Sequence, residues 1–406
     1  MGASAPAYAA DLAGGCCADL EERVAELEAT TARKGNRVVS LQVYGQVNKA
    51  LLFWDDGVDS DVYVTDNDYS GSRIGFTGKA GMRPGWTAGF LIELDIQDAA
   101  SDKVSNGTSN AGTATFDDPA DEILIRYSNV YIESEQLGRI TLGQGSTAAD
   151  GVNEVVLGNS MRNSDLQHGS DMEVRISSTG DLSGIRLDFI ASNLDSSRDD
   201  VIRYDSPSIY GFILSASWGD DDYADIALRF KKEWNSVRIA AAVAYQWDGT
   251  GDNALISDRT ANGDGEVLSG SISLMHIPTG LYASFAAGQI EVEDVGGDGI
   301  DNEASFWYLQ LGLERKFLPY GSTTIYGEYG VYDDVLSIFD GGAGATDIAG
   351  SEAERWGVGI VQKFDSAALE LYAQAAFWSF EAVQNNGVSF GLEDLSTIMV
   401  GSRIKF

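Results

Sequence analysis

Side chains able to do bond chemistry are scarce in this chain. Histidine occurs only twice, as His168 and His276. A Ser-His-acid hydrolase needs an imidazole base beside its nucleophile. His276 lies just before a turn, so only His168 could serve. No G-x-S-x-G, no His-x-x-x-His and no glycine-rich phosphate loop is present, and the reading is that the protein is not an enzyme. Charge, by contrast, is abundant: 62 Asp and Glu face 27 Lys and Arg, for a net charge of −35. That balance excludes nucleic-acid binding, which needs a basic face, and suits a surface or pore that draws cations. Much of the acid falls in apparent loops, at 55–68, 117–121, 220–222 and 291–303. G-G-D-G-I-D-N-E from Gly296 and N-G-D-G-E from Asn262 loosely resemble Ca²⁺ loops but lack the full ligand pattern. Weakly bound Ca²⁺ in acidic loops is the lesser reading there, and no other cofactor is expected. Cys16 and Cys17 are adjacent, so there is no disulfide framework.

The elements that must position these charges are strands. In the final stretch, S-T-I-M-V-G-S-R-I-K-F, Ile398, Val400, Ile404 and Phe406 share one face, and Met399, Gly401, Arg403 and Lys405 share the other. Such a strand suits lipid on one side and water on the other. Period two recurs upstream. Val237, Ile239, Ala241, Val243, Tyr245 and Trp247 oppose Arg238 and Gln246; Ile185, Leu187 and Phe189 oppose Arg186 and Asp188; Trp356, Val358, Ile360 and Phe364 oppose Arg355 and Lys363. Short turns alternate with long Gly- and Asp-rich connectors. No run of 18 apolar residues offers a transmembrane helix. A sandwich or propeller also alternates, but aromatic residues here gather at strand ends (Trp54, Tyr131, Trp218, Trp247, Phe317, Tyr320, Tyr332, Phe364), as membrane girdles do. The expected fold is all-β: a transmembrane antiparallel β-barrel of 16–18 strands, 18 by count, with one mistaken hairpin reducing the count to 16.

Three segments are expected. Residues 1–10 look like a signal-peptide remnant, with Ala7-Tyr8-Ala9 fitting small-x-small cleavage although a basic start and apolar middle are missing. Residues 11–37 form a periplasmic segment with a short helix over 18–34, capped by Asp19 and stopped by Gly35. Leu20, Val24 and Leu27 give it a coiled-coil-like seam too short to stand alone. L-A-G-G-C before Cys16 departs from a lipoprotein box at Ala13. Residues 38–406 are the barrel, with an inserted third loop at 146–171 whose Val155, Val156, Leu157 and Met161 need a wall to lie against.

Four stretches together resemble a known family. They are V-S-L-Q-V-Y-G-Q-V-N-K-A-L-L-F-W-D-D-G at the start of the barrel, S-R-I-G-F-T-G-K, L-G-R-I-T-L-G-Q-G before the third loop, and the closing V-G-S-R-I-K-F. Over 38–406 the chain resembles the trimeric general porins of Gram-negative outer membranes, particularly the alphaproteobacterial porin family. The resemblance implies a water-filled trimeric barrel, usually of 16 strands, with the third loop folded inward as a constriction. It implies that Arg73, Arg126 and Arg175, expected on strands two, four and six, line that constriction, with Arg139 and Arg203 as further inward candidates. The opposing carboxylates are expected from the loop: Asp150, Glu154, Asp165 and Asp171. Phe406 would be the signal read by the barrel assembly machinery. The expected function is passive diffusion of small hydrophilic solutes and ions, with cations preferred, through an outer-membrane homotrimer set among lipid and lipopolysaccharide, which the Ca²⁺ of acidic loops would bridge. The alternative is a structural barrel tying the outer membrane to peptidoglycan through its N-terminal helix.

Overall fold

The computed structural model describes residues 39–107, 123–166, 168–219, 222–248, 265–292, 303–338, 348–384 and 386–406. The expected signal remnant and N-terminal helix lie outside these residues, as do most of the loops containing Asn262 and Gly296.

Among the described residues there are twenty strands. The first group is β1 (Ser40–Asp55), β2 (Ser60–Asp66), β3 (Arg73–Arg83), β4 (Trp86–Asp95), β5 (Leu124–Ser134) and β6 (Gly138–Ser146). Next come β7 (Glu173–Arg175), β8 (Leu182–Arg186), β9 (Arg198–Asp205), β10 (Phe212–Gly219), β11 (Ala224–Trp234), β12 (Val237–Asp248) and β13 (Gly265–His276). The last are β14 (Leu281–Val292), β15 (Glu303–Leu318), β16 (Gly321–Asp333), β17 (Ile348–Phe364), β18 (Leu369–Gln384), β19 (Ser389–Gly391) and β20 (Leu395–Lys405). Sixteen of them close into an antiparallel barrel, each neighbouring the next in chain order. β2 lines the far half of β1 and β19 the far end of β18, while β7 and β8 pair only with each other.

Closure comes from β1, which pairs with β3 through 40–46 and with β20 through 46–55. Phe406 adds a last rung. Its N–H donates to the Gly45 carbonyl and the Gly45 N–H donates to the Phe406 carbonyl, both at 3.0 Å. Gly45 is required there, because a Cβ would sit 2.5 Å from the Phe406 ring.

Side chains alternate as the sequence pattern predicts. In β12 Val243, Tyr245 and Trp247 are exposed, whereas Ala240, Ala242, Ala244 and Gln246 are buried. Ile398, Val400 and Ile404 point outward in β20, and Met399 and Arg403 inward. Among the described residues no helix is long and apolar enough to cross a membrane. Of the expected girdle, Trp218, Trp247, Phe317 and Tyr320 do face outward. Trp54, Tyr131 and Tyr332 instead face in: Trp54 meets Tyr63, Tyr131 stacks under Arg139, and Tyr332 packs beside Trp378.

The count of 18 wall strands is corrected to 16. The two extra segments, those of Arg175 and of the alternating Ile185, Leu187 and Phe189, are the β7–β8 ribbon and a one-turn helix at Leu187–Ile190. Both lie inside the barrel. The third loop therefore runs from Thr147 to Ser197 rather than ending near 171. Ile185, Leu187 and Ile190 are fully buried; their apolar pattern arises from contact with an aromatic inner wall and not with lipid.

Candidate functional site

Loop Thr147–Ser197 forms the site by attaching to one arc of the inner wall. It leaves β6 under Arg203 of β9, whose Nη1 donates to the carbonyls of Ser146 at 3.2 Å and Thr147 at 2.7 Å. Arg203 is itself held by both oxygens of Asp205. Ala148 N–H then donates to Ser217 of β10 at 2.9 Å, and Ala149 N–H to Asp225 of β11 at 2.6 Å. Ala148, Ala149 and Val152 press on Ala227, Ala242 and Ala244, small residues that let the loop backbone reach the wall. Farther on, Val155 and Leu157 N–H donate to Ser271 and Ser273 of β13. Gly158 meets the Tyr282 ring so closely that a Cβ there would come within 2.2 Å of it.

The middle of the loop is fastened by buried charge. Glu328 of β16 accepts from Arg162 Nη1 of the loop at 3.1 Å and from the Tyr308 hydroxyl at 2.8 Å, and Arg355 Nε of β17 stands 3.7 Å away. Arg355 is enclosed by the Tyr308, Tyr332 and Trp378 rings. It donates to the loop carbonyls of Asn163 at 2.7 Å and Asp165 at 2.9 Å. Around this cluster Met161, Met172, Ile185, Leu187 and Ile190 bury against Tyr282, Phe306, Tyr308, Tyr326 and Phe380. Each such side chain contributes roughly 1.5–3 kcal/mol. The His168 ring sits between Ser101 and Gln374, so it pins the loop to β18.

The residues expected to carry selectivity are thereby sorted. Arg73 of β3 and Arg126 of β5 stand on the opposite arc, half-buried, and share Glu93 of β4 at 3.4 and 3.0 Å; Arg126 also reaches Asp95 at 3.3 Å. The Tyr44 hydroxyl donates to Glu93 at 2.7 Å. Arg139 is a wall residue near the 135–137 turn, its guanidinium 3.6 Å above the Tyr131 ring. Arg175 is not on a wall strand. It lies on β7, where its Nε donates to Asp56 at 2.7 Å and its Nη1 to the Gly180 carbonyl, tying the inner ribbon to the loop after β1.

On the loop side, Asp150, Glu154, Asp165 and the unanticipated Asp195 form one electrostatic group. Burial pushes the Glu154 and Asp195 carboxyls well above the ordinary range, and their carboxylate neighbours push them further. Burial also raises Asp150, but Arg198, Arg203 and Arg229 hold it back. Asp171 lies elsewhere. It is 3.5 Å from Arg186 and neighbours Asp102, whose carboxyl burial and Asp68 push up to about 8. Tyr69, on the 3₁₀ turn Asp68–Ser70, is near enough to Glu154 and to the Arg403–Glu370 wall pair to feel their charges.

Sequence reasoning missed Glu93, Asp95, Asp195, Arg229 and Tyr69. Glu93 and Asp95 carry a visible signal, since they alternate with Leu94 and Ile92 in L-I-E-L-D. Among the described residues no group of three or more His, Cys, Asp or Glu is placed to hold a metal ion. The result is a lumen with guanidiniums on one arc and a carboxylate-bearing loop on the other.

A family model described as Gram-negative porin matches residues 1–382. The fold is similar to the trimer form of OmpT from Vibrio cholerae (12% identity, 91% of this chain and 100% of that one, TM-score 0.55). It is similar to an anion-selective porin from Comamonas acidovorans (14% identity, 91% and 100%, TM-score 0.55). It is also similar to Salmonella typhi OmpF in complex with daunomycin (12% identity, 90% and 98%, TM-score 0.54). No curated protein matches by sequence.

Proposed function

Because this chain belongs to the Gram-negative porin family, we propose that it is a passive, cation-preferring diffusion channel for small hydrophilic solutes. It is an outer-membrane β-barrel, and its family and fold point to a channel and not to an enzyme. Orientation follows from the connectors: the short turns, such as 84–85, 235–236 and 319–320, belong on the periplasmic side, and the long loops outside.

The observation that carries this reading is the loop Thr147–Ser197 folded inside the barrel with Glu154 and Asp195 on it, opposite Arg73 and Arg126. Such a pore selects by calibre and by the field at its narrowest point. Opposed charges favour solutes whose dipole aligns with the transverse field. The excess of carboxylates, among them Asp150, Asp165, Glu93 and Asp95, tips the balance toward cations. A homotrimer is part of this reading, in line with the trimer form of a structural neighbour. Contact with lipopolysaccharide, weak Ca²⁺ binding in the acidic loops and recognition of Phe406 by the assembly machinery are parts of the same proposal.

The test is single-channel conductance in a planar bilayer under a salt gradient. Insertion in steps of three, with a reversal potential biased toward the cation, is expected. Folded, heat-modifiable protein that conducts nothing would refute the open pore, and an anion-biased reversal would refute the preference.

A further inference from the structure

Charge along the barrel axis is unevenly divided. At the periplasmic ends of the strands, cations dominate the lumen: Arg238 near the start of β12, Lys316 near the end of β15, Lys363 near the end of β17 and Arg403 near the end of β20. The eyelet loop above them carries the carboxylates. Below the loop segment 157–159, Arg238, Lys316 and Lys363 border, with Arg315, a recess of about 440 Å³ around one carboxylate, Glu314.

That carboxylate is already engaged, accepting from the Asn159 N–H at 2.9 Å and the Ser322 hydroxyl at 3.0 Å. The cations are less committed. Arg238 stands 3.4 Å from Glu233 and Lys316 3.9 Å from Asp365, in exposed pairs of a kind that contributes little. Lys363 Nζ has no ion pair among the described residues.

We infer that this recess is an anion site at the periplasmic mouth, separate from the eyelet, that takes a phosphoryl dianion. Two or more cations suit phosphate better than a monocarboxylate, because a dianion gains from each charge. An ion held there sits beside the conduction path and beneath Gly158, where the loop rests on the wall. Phosphate entering from the periplasm therefore obstructs the current, whereas phosphate outside meets the carboxylate-bearing loop first and is repelled. The site rests on the barrel orientation, and the one-sidedness of its block rests also on the carboxylate-bearing loop of the function proposed above.

The experiment uses the full-length protein in planar bilayers, with an open channel in KCl established first. Inorganic phosphate, glycerol phosphate or acetate then replaces chloride at constant ionic strength on one side at a time. Block by both phosphates from one side only is expected, with acetate ineffective. In Lys316→Gln and Lys363→Gln the blocking constant should weaken by roughly fivefold for each cation removed, while conductance in KCl stays near that of the unaltered channel. Arg238→Gln gives an independent third removal. Open channels that phosphate does not block, block equal from both sides, equal block by acetate, or block unchanged in all three variants would overturn the site while leaving the porin reading standing.

Discussion

Removing Glu328 is the sharpest test of how the eyelet loop is held. In Glu328→Ala, Arg162 and Arg355 keep their charges inside the barrel and lose the carboxylate between them, and the Tyr308 hydroxyl loses its acceptor. Arg355 is 1% exposed and ringed by aromatic side chains, so water cannot replace the missing partner. Breaking a buried pair by deleting one member costs about 3–5 kcal/mol. Arg355 also donates to the carbonyls of Asn163 and Asp165, so the loss falls on the contact between loop and wall. A docked state weakened by about 3 kcal/mol is populated roughly 150-fold less relative to the undocked one. Single-channel recordings should then show frequent closures at voltages where the unaltered protein stays open, while heat-modifiability and assembly remain normal because the wall hydrogen bonds are untouched. The double variant Arg162→Met with Glu328→Met, which removes the loop charge and its partner together, should lose less than the sum of the single changes. Quiet channels in Glu328→Ala, with a thermal midpoint equal to that of the parent, would refute the clamp.

Four further outcomes follow from other contacts. Gly158→Val puts a side chain into the Tyr282 ring and should lift the loop, raising current noise; adding Tyr282→Ala should restore quiet channels, and failure of that rescue counts against the contact. Acidification should weaken the cation bias well above the usual carboxylate range, because Glu154 and Asp195 take up protons early; by the same sign, these raised carboxyls favour the docked loop at low pH and lose that contribution as pH rises. A reversal potential flat down to pH 4, or one unchanged in shape by Glu154→Gln with Asp195→Asn, would contradict this. Arg175→Ala should free the β7–β8 ribbon from Asp56 at a cost of about 1–3 kcal/mol, seen as faster proteolysis within 173–186. Gly45→Val should obstruct the rung made with Phe406 and lower the yield of heat-modifiable barrel.

How much of this could be read from the residues depended on what each pattern reports. The outward faces of β12, β17 and β20 were legible because Val243, Trp356 and Ile398 alternate with polar or small residues over whole strands. Ile185 and Leu187 alternate too, yet they lie inside. A period of two records that one side is apolar, and it does not say whether lipid or a tyrosine-lined wall provides the contact. That ambiguity produced the extra hairpin and placed Arg175 in the wall. Trp54 and Tyr332 were misplaced for a related reason: an aromatic residue near a strand end is a girdle only if its parity points outward. Arg73 and Arg126 were named from the family resemblance, and alternation alone would not have placed Arg126, which sits where β5 slips register against β4. Their partners were not legible, because Glu93 shares a site with both arginines only through pairing of β3, β4 and β5, and Asp195 meets Glu154 only after the loop turns back on itself.

The aromatic lining beneath the loop gives the barrel something unusual for a pore, a globular interior. Met161, Ile185 and Leu187 with Tyr308, Tyr326 and Phe380 behave as the core of a small soluble domain, enclosed by a wall that answers to different rules. The wall must satisfy lipid and cannot change strand by strand without losing closure. The insert answers only to its own packing and to a few clamps, and its length and charge are free to vary while those are kept. Calibre and selectivity in such a protein are thus editable apart from the membrane scaffold, as a bushing is exchanged within a fixed bearing.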